Sequence, residues 1–228
     1  MRLISVNVSP PEDVMHGRRT VTTGIFKEPV AGRVMLRKTN LDGDGQADLV
    51  NHGGVHRAAY VYPATHYEHW QRELGRDDFG FGQFGENFTV DGMTEDEVNI
   101  GDIFRVGGAI VEVSQPRPPC FKLGIKMSLP TFPKLFLASG RIGFYLRVLQ
   151  EGEVGASDTF DLIGRYPEQI TVREMSHLLF FEPEDLAGAE RALRIRALSP
   201  GWRDSFRERV IKARVAIEND TKPEERNS

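Results

Sequence analysis

Residues Val111 to Met127 read VEVSQPRPPCFKLGIKM and hold the single cysteine of a 228-residue chain. Ile110 to Val113 reads as a strand. Pro116, Pro118 and Pro119 each lack a backbone donor, so the strand is expected to stop and leave a stiff extended segment that fixes the direction of the Cys120 thiol. Arg117 and Lys122 flank that thiol. Nearby cations favour the thiolate, the form of cysteine that attacks electrophiles and ligates metals. A buried structural thiol is the plain alternative, because unpaired cysteine is among the most buried residue types.

Working outward, Gly107-Gly108 between Ile103–Val106 and Ala109–Ser114 is a two-residue hairpin signal. Further strands are expected over Arg2–Val8, Val30–Leu36, Ala58–Tyr62, Asn87–Val90, Phe144–Leu149 and Thr159–Ile163, with a loop or hairpin over Glu12–Lys27. Pro63–Leu74 places Tyr67, Trp70 and Leu74 at helical spacing, which assigns His66 and His69 to its solvent side, and Pro130–Ala138 reads as a short helix. Short strands in this number, joined by turns and few helices, predict a mainly β fold with some α, as a closed or nearly closed β-barrel.

From Gly164 the texture changes. Thr171-Val172-Arg173-Glu174 is a capping box opening a helix through Phe180, Pro183 opens a second through Leu193, and Ser199-Pro200 starts a third with Trp202, Phe206, Val210 and Ala213 on one face. The expected organisation is a barrel over 1–168, a small three-helix domain over 169–216 and a disordered tail over 217–228.

The apolar fraction of 39%, the charged fraction of 27% and the net charge of −4 describe a globular protein without the basic footprint of a nucleic-acid coat. No apolar run is long enough to cross a bilayer and no secretory signal is visible, so no membrane partner is expected. A lone cysteine makes no internal disulfide and fits a reducing cytoplasm.

Leu41–Arg57, LDGDGQADLVNHGGVHR, is a long polar connection of the kind that carries function. His52 and His56 stand four apart, but the glycines between them argue against a helix and a zinc site. The backbone of Asn51-His52-Gly53-Gly54 instead suits an anion-binding nest with Arg57 adding charge, or a plain glycine turn. Gly80-Phe81-Gly82-Gln83-Phe84-Gly85 matches a dinucleotide fingerprint but neither follows a strand nor opens a helix. A cysteine hydrolase would need one of the six histidines to fold beside Cys120.

Several stretches, taken in order, resemble one family. They are Asp48-Leu-Val-Asn-His-Gly-Gly, Ala59-Tyr-Val-Tyr-Pro with His66-Tyr67 and Trp70, Gly85-Glu-Asn-Phe-Thr-Val, Ile100-Gly-Asp, and Ser114-Gln-Pro-Arg-Pro-Pro-Cys-Phe-Lys-Leu. The family is the MOSC domain, named for the C-terminal domain of molybdenum cofactor sulfurase. The chain is more narrowly similar to its YiiM-like branch, in which a MOSC-type β-barrel carries a small three-helix domain. Many relatives place the cysteine directly after the arginine, whereas Pro118 and Pro119 intervene here.

The resemblance implies binding of the molybdenum cofactor (molybdopterin), with Cys120 as the metal ligand and a catalytic residue. It implies cofactor-binding roles for Asn51, His52, Gly53, Gly54, Arg57, Arg117 and Lys122, and substrate or proton-donor roles for Asn87 and His52. The implied activity is reduction of N-hydroxylated compounds, such as hydroxylaminopurine-type base analogues, fed by an external electron-donating reductase. A homodimer is expected. The alternative is a non-catalytic carrier of the molybdenum cofactor or of sulfur, using the same cysteine.

Overall fold

The structure is a computed structural model that describes residues 1–48 and 53–220. In chain order its elements are β1 (Arg2–Val8), β2 (Glu12–His16), β3 (Arg19–Thr23), β4 (Glu28–Pro29), β5 (Arg33–Leu36), a 3-10 turn (Val55–Arg57), β6 (Ala59–Pro63) and α1 (Thr65–Leu74). There follow β7 (Phe88–Asp91), β8 (Ile103–Val106), β9 (Ala109–Pro116), α2 (Phe121–Lys126), α3 (Phe132–Ser139), β10 (Phe144–Gln150), β11 (Gly152–Gly155) and β12 (Phe160–Gly164). The chain then closes with α4 (Val172–Phe180), α5 (Leu186–Arg194) and α6 (Pro200–Asp220).

Eight strands form one sheet in the order β12-β8-β9-β10-β6-β7-β1-β4. All its pairings are antiparallel except β6 with β7, so the sheet is mixed. The expected hairpin is present, with Val106 opposite Ala109. Of the expected closed or nearly closed barrel, full closure is corrected. No continuous ladder closes the sheet among the described residues. Its two sides meet at the single bridge Arg2–Thr159, supported by Leu3 N donating to Asp158 O at 2.8 Å and Phe160 N donating to Met1 O at 2.9 Å. The turn at Gly155–Asp158 feeds β12 in beside β1 but is too short to add a full strand pairing there.

Alternation along the strands explains the core. On β10, Phe144, Leu146 and Val148 are buried, and they pack with Leu3, Val61, Phe88, Phe104, Val111 and Val113. Each such side chain contributes roughly 1.5–3 kcal/mol on burial. The same cluster continues without a break into Met175, Leu178, Ala189, Ala192 and Phe206 of the C-terminal helices. A second cluster of Tyr60, Tyr62, Trp70, Phe84, Leu123, Phe132 and Phe136 fills the other side of β6, under α1, α2 and α3. The helix signals hold locally: Glu174 N donates to Thr171 Oγ1 at 3.1 Å, which is the expected cap of α4.

Three other expectations change. Strand β9 runs on to Pro116, because its ladder with β10 is already irregular between Tyr145 and Leu146, and an irregular ladder tolerates a missing donor. His66 is buried, not solvent-facing. It shares the inner face of α1 with Trp70 one turn on, and its Nε2 lies 2.7 Å from Glu95 Oε2. The tail expected to be disordered from residue 217 continues α6 through Asp220, and residues 221–228 lie outside the described residues.

Candidate functional site

The site is built where β9 ends. Arg117 N donates to Gly143 O at 3.2 Å, so the chain stays pinned to the turn before β10 one residue past the strand. That approach needs glycine: Gly143 has φ +66°, and a Cβ there would lie 2.3 Å from Val61 O. Pro118 and Pro119 then carry the chain to Cys120, the residue that precedes α2, with φ −122° and ψ 168°. Its carbonyl accepts from Leu123 N at 3.0 Å, while its side chain caps no helical N–H. Cys120 is half-buried and outside any disulfide.

Cys120 lines a cavity of about 580 Å³ measured out to its open mouth. Thr23, Gly24, Ile25, Lys27, Gly45, Gln46 and Ala47 supply one wall. The rest of the lining is Arg57, Tyr60, Gly85, Asn87, Arg117, Lys122 and Tyr145. Five residues singled out in the sequence therefore converge: Cys120, Arg117, Lys122, Arg57 and Asn87. Gly53 and Gly54 do not join them. They enter the 3-10 turn and line a second cavity on its other side, so the expected nest is not part of the Cys120 cavity among the described residues. Asn51 and His52 lie outside the described residues.

Arg117 is the most unusual group here. It is 5% exposed, its Nη1 has no hydrogen-bond partner, and it has no carboxylate partner among the described residues. Its guanidinium lies over the Tyr60 ring at 5.0 Å and the Phe136 ring at 5.4 Å. Burial alone would lower its pKa, but Tyr60, Tyr145 and Cys120 around it raise the value on balance, so it stays charged. The cation–π contacts supply up to about 2 kcal/mol each, against several kcal/mol for a buried charge without a counter-ion. An anion in the cavity would restore the balance.

The remaining polar groups divide into occupied and available ones. Asn87 is occupied: Oδ1 accepts from Tyr60 N at 3.0 Å, and Nδ2 donates to Asn7 O at 3.2 Å and Asp44 Oδ2 at 2.9 Å. It ties the 42–46 loop to the sheet, and both its donors are spent. Lys27 pairs with Asp44, and burial holds its pKa below the usual lysine value. Glu86, fully buried behind Asn87, accepts from Gly82 N at 2.9 Å, Phe84 N at 3.0 Å and Thr89 Oγ1 at 2.9 Å, as well as from the Tyr67 hydroxyl. That gives the Glu86-Asn87 pair the partners a buried polar pair requires.

Sequence reasoning missed Tyr60, Tyr145, Lys27 and the glycines Gly24 and Gly45. Tyr145 stands opposite Tyr60 on β6 and Gln115 on β9, so the three side chains share one face of the sheet. Burial pushes the Tyr145 hydroxyl above the ordinary tyrosine value, with Arg117 opposing, so it remains protonated at neutral pH. Its alternation against Phe144 and Leu146 was a readable signal. No described histidine lines the cavity, which removes the support for a cysteine–histidine hydrolase among the described residues.

Chemically, the cavity offers one soft thiol, two arginines, two lysines and a tyrosine hydroxyl, with no carboxylate in its described lining. That donor set fits a group carrying both a thiophilic metal and an anionic tail.

Known proteins identify the family. The MOSC domain family model matches residues 48–161, and the model of the YiiM-like 3-alpha helix domain matches residues 170–213. The uncharacterized protein YflK of Bacillus subtilis is 42% identical over 204 residues, covering 90% of this chain and 92% of its own. A protein of Gibberella moniliformis named "Reductase" is 37% identical over 152 residues, 65% of this chain but only 27% of that longer one. The crystal structure of YiiM from Geobacillus stearothermophilus superposes with a TM-score of 0.78 at 37% identity, covering 92% of this chain and 98% of that one. From the cysteine-bearing sheet to the helices packed on it, the chain belongs to the MOSC domain family, in the form that carries a YiiM-like three-helix domain.

Proposed function

We propose that this protein is a molybdenum-cofactor-dependent reductase of N-hydroxylated compounds, with base analogues of the hydroxylaminopurine type as the substrate class. The observation that carries the reading is the buried, unpartnered Nη1 of Arg117 in the same cavity as the sole thiol. A thiolate and a shielded guanidinium side by side suit a group with a soft metal at one end and negative charge along it. Membership of the MOSC family and the name of the fungal relative support a redox role.

When bound, the molybdenum cofactor supplies a two-electron redox centre. Cys120 would hold its metal, and Arg117, Lys122 and Arg57 its anionic portion. The net reaction is R–NHOH + 2 e⁻ + 2 H⁺ → R–NH₂ + H₂O. The Tyr145 hydroxyl, kept protonated by burial and lining the same cavity, would hold a proton for the departing oxygen. Asn87 positions the 42–46 loop. The electrons come from an external reductase.

The test is reduction of hydroxylaminopurine with reduced methyl viologen as donor, using protein from a host that makes the cofactor. Wild-type protein is expected to turn over, and Cys120→Ala to lose activity by roughly a hundredfold or more while staying folded. Full activity in Cys120→Ala refutes the proposal. A persulfide on Cys120 with no turnover would instead identify a carrier.

A further inference from the structure

A second cavity opens between the 3-10 turn, β9 and the start of α6. It measures about 980 Å³ out to its open mouth and is lined by Gly53, Gly54, Val55, His56, Arg57, Gln115, Ser199, Pro200, Gly201, Trp202 and Ser205. Only Arg57 is shared with the Cys120 cavity. Three of the residues in this lining carry buried polar atoms with no hydrogen-bond partner: His56 through Nδ1, Trp202 through Nε1, and Gln115 through both Nε2 and Oε1. Gln115 is 0% exposed. Leaving a buried polar group unpaired costs about 1–3 kcal/mol, and folded proteins rarely collect several in one place.

The first turn of α6 faces the same space. Ser199 O accepts from Arg203 N at 3.0 Å, so Ser199 is the cap residue, and the N–H groups of Gly201 and Trp202 fall in the turn whose donors have no helical partner. The described lining contains no carboxylate. Among the lining side chains that both donate and accept, the Ser199 and Ser205 hydroxyls do so at one atom and the Gln115 amide at two adjacent atoms. That amide is shut off from solvent, and its terminal torsion is a soft one, so the amide meets a ligand only after a turn about that torsion. Trp202 adds a ring fixed edge-on against Phe180 at 5.6 Å.

We propose that this cavity is a second binding site, for a small planar heterocycle with an amide- or amidine-type edge, read by the Gln115 amide and the Trp202 indole N–H. An adjacent donor and acceptor on the ligand match the two ends of the Gln115 amide, the pairing that reads base edges elsewhere. Further acceptors on the ligand face the α6 turn. The proposal is independent of what the Cys120 cavity holds.

The test uses the full chain and nicotinamide, adenine and uracil as probes, with toluene as a control that lacks the edge. Binding is measured by calorimetry and by tryptophan fluorescence. At least one edged probe is expected to bind with a dissociation constant of about 1 mM or tighter, the range open to fragments of this size, and toluene more weakly. Gln115→Met should weaken that probe roughly tenfold to a hundredfold. The ligand-free variant should be as stable as wild type or more so, because it removes unpaired polar atoms. Trp202→Phe, which removes the N–H together with the five-membered part of the indole, should also weaken the probe, by a smaller factor than Gln115→Met. The proposal is overturned if no edged probe binds, if toluene binds equally well, or if both variants bind as wild type does. It is equally overturned if Gln115→Met is destabilised with its binding intact, or if binding is lost only in Arg117→Met, which would place it in the Cys120 cavity.

Discussion

At the scale of single residues, the chemistry concentrates on cations that are hard to keep buried. Arg117 was legible in the sequence because it sits in a proline frame three residues before the only cysteine. Its neighbours Tyr60 and Tyr145 were not, because they reach it from strands far away in the chain. Lys126 was passed over as well, and it illustrates the same tension. Its Nζ donates to Ile25 O at 3.0 Å and Gly82 O at 2.7 Å, and burial lowers its pKa to about 8 from an ordinary 10.5. Between those two values the unfolded chain holds a proton that the folded one has released, so folding stability contributed by Lys126 rises with pH from about 8. Buried tyrosines reverse the trend near pH 10, where the unfolded chain begins to ionise. Urea unfolding of wild type should therefore show a higher free energy at about pH 9.5 than at about pH 8, and Lys126→Met a shallower rise. An equal slope in the variant would mean that another group carries the effect.

At the scale of elements, the cavity depends on how closely β3 and the polar loop approach each other. A Cβ on Gly24 would lie 2.2 Å from Gly45 O, and one on Gly45 would lie 2.5 Å from the Pro11 ring. Backbone cannot step aside as a flexible side chain does. Gly24→Ala is accordingly expected to lower stability by about 1–3 kcal/mol and to shift the loop that carries Gln46 and Ala47. A variant with the unfolding midpoint of wild type would show that the wall is softer than its packing implies. The local elements were largely readable: the Gly107-Gly108 hairpin, α1 and the Thr171 cap each rest on residues close in sequence. The short helix α2 was not foreseen, because four of the residues from Pro116 to Cys120 are prolines or the cysteine itself and give no helical period. Gly53 and Gly54 line the second cavity and not the one around Cys120, because sequence shows that a glycine pair bends the chain but not to which side.

At the scale of the whole molecule, the sheet and the three-helix module read from the sequence share a continuous core. Ile170, Val172, Met175 and Phe206 pack in one cluster with Val111, Val113 and Leu146 of the sheet. Periodicity told which faces are apolar but not what covers them, which is why the helices were legible and their packing was not. The pairing that joins β1 to the segment before β12 is similarly long-range, and whether it closes the sheet fully was not legible in the sequence. A shared core predicts that sheet and helices melt together. Scanning calorimetry should show one transition whose calorimetric and van't Hoff enthalpies agree. Two separated transitions would mean that the helical unit folds alone.

On the proposed function, the Cys120 cavity holds a molybdenum–pterin group through its thiol and its buried guanidinium. The most direct measurement is the molybdenum and pterin content of protein purified from a cofactor-producing host, for wild type, Cys120→Ser and Arg117→Met side by side. Wild type is expected to carry both near one per chain, Cys120→Ser to lose the metal, and Arg117→Met to lose both without loss of folding. Absence of molybdenum and pterin from the wild-type protein, or equal content in all three, would contradict it.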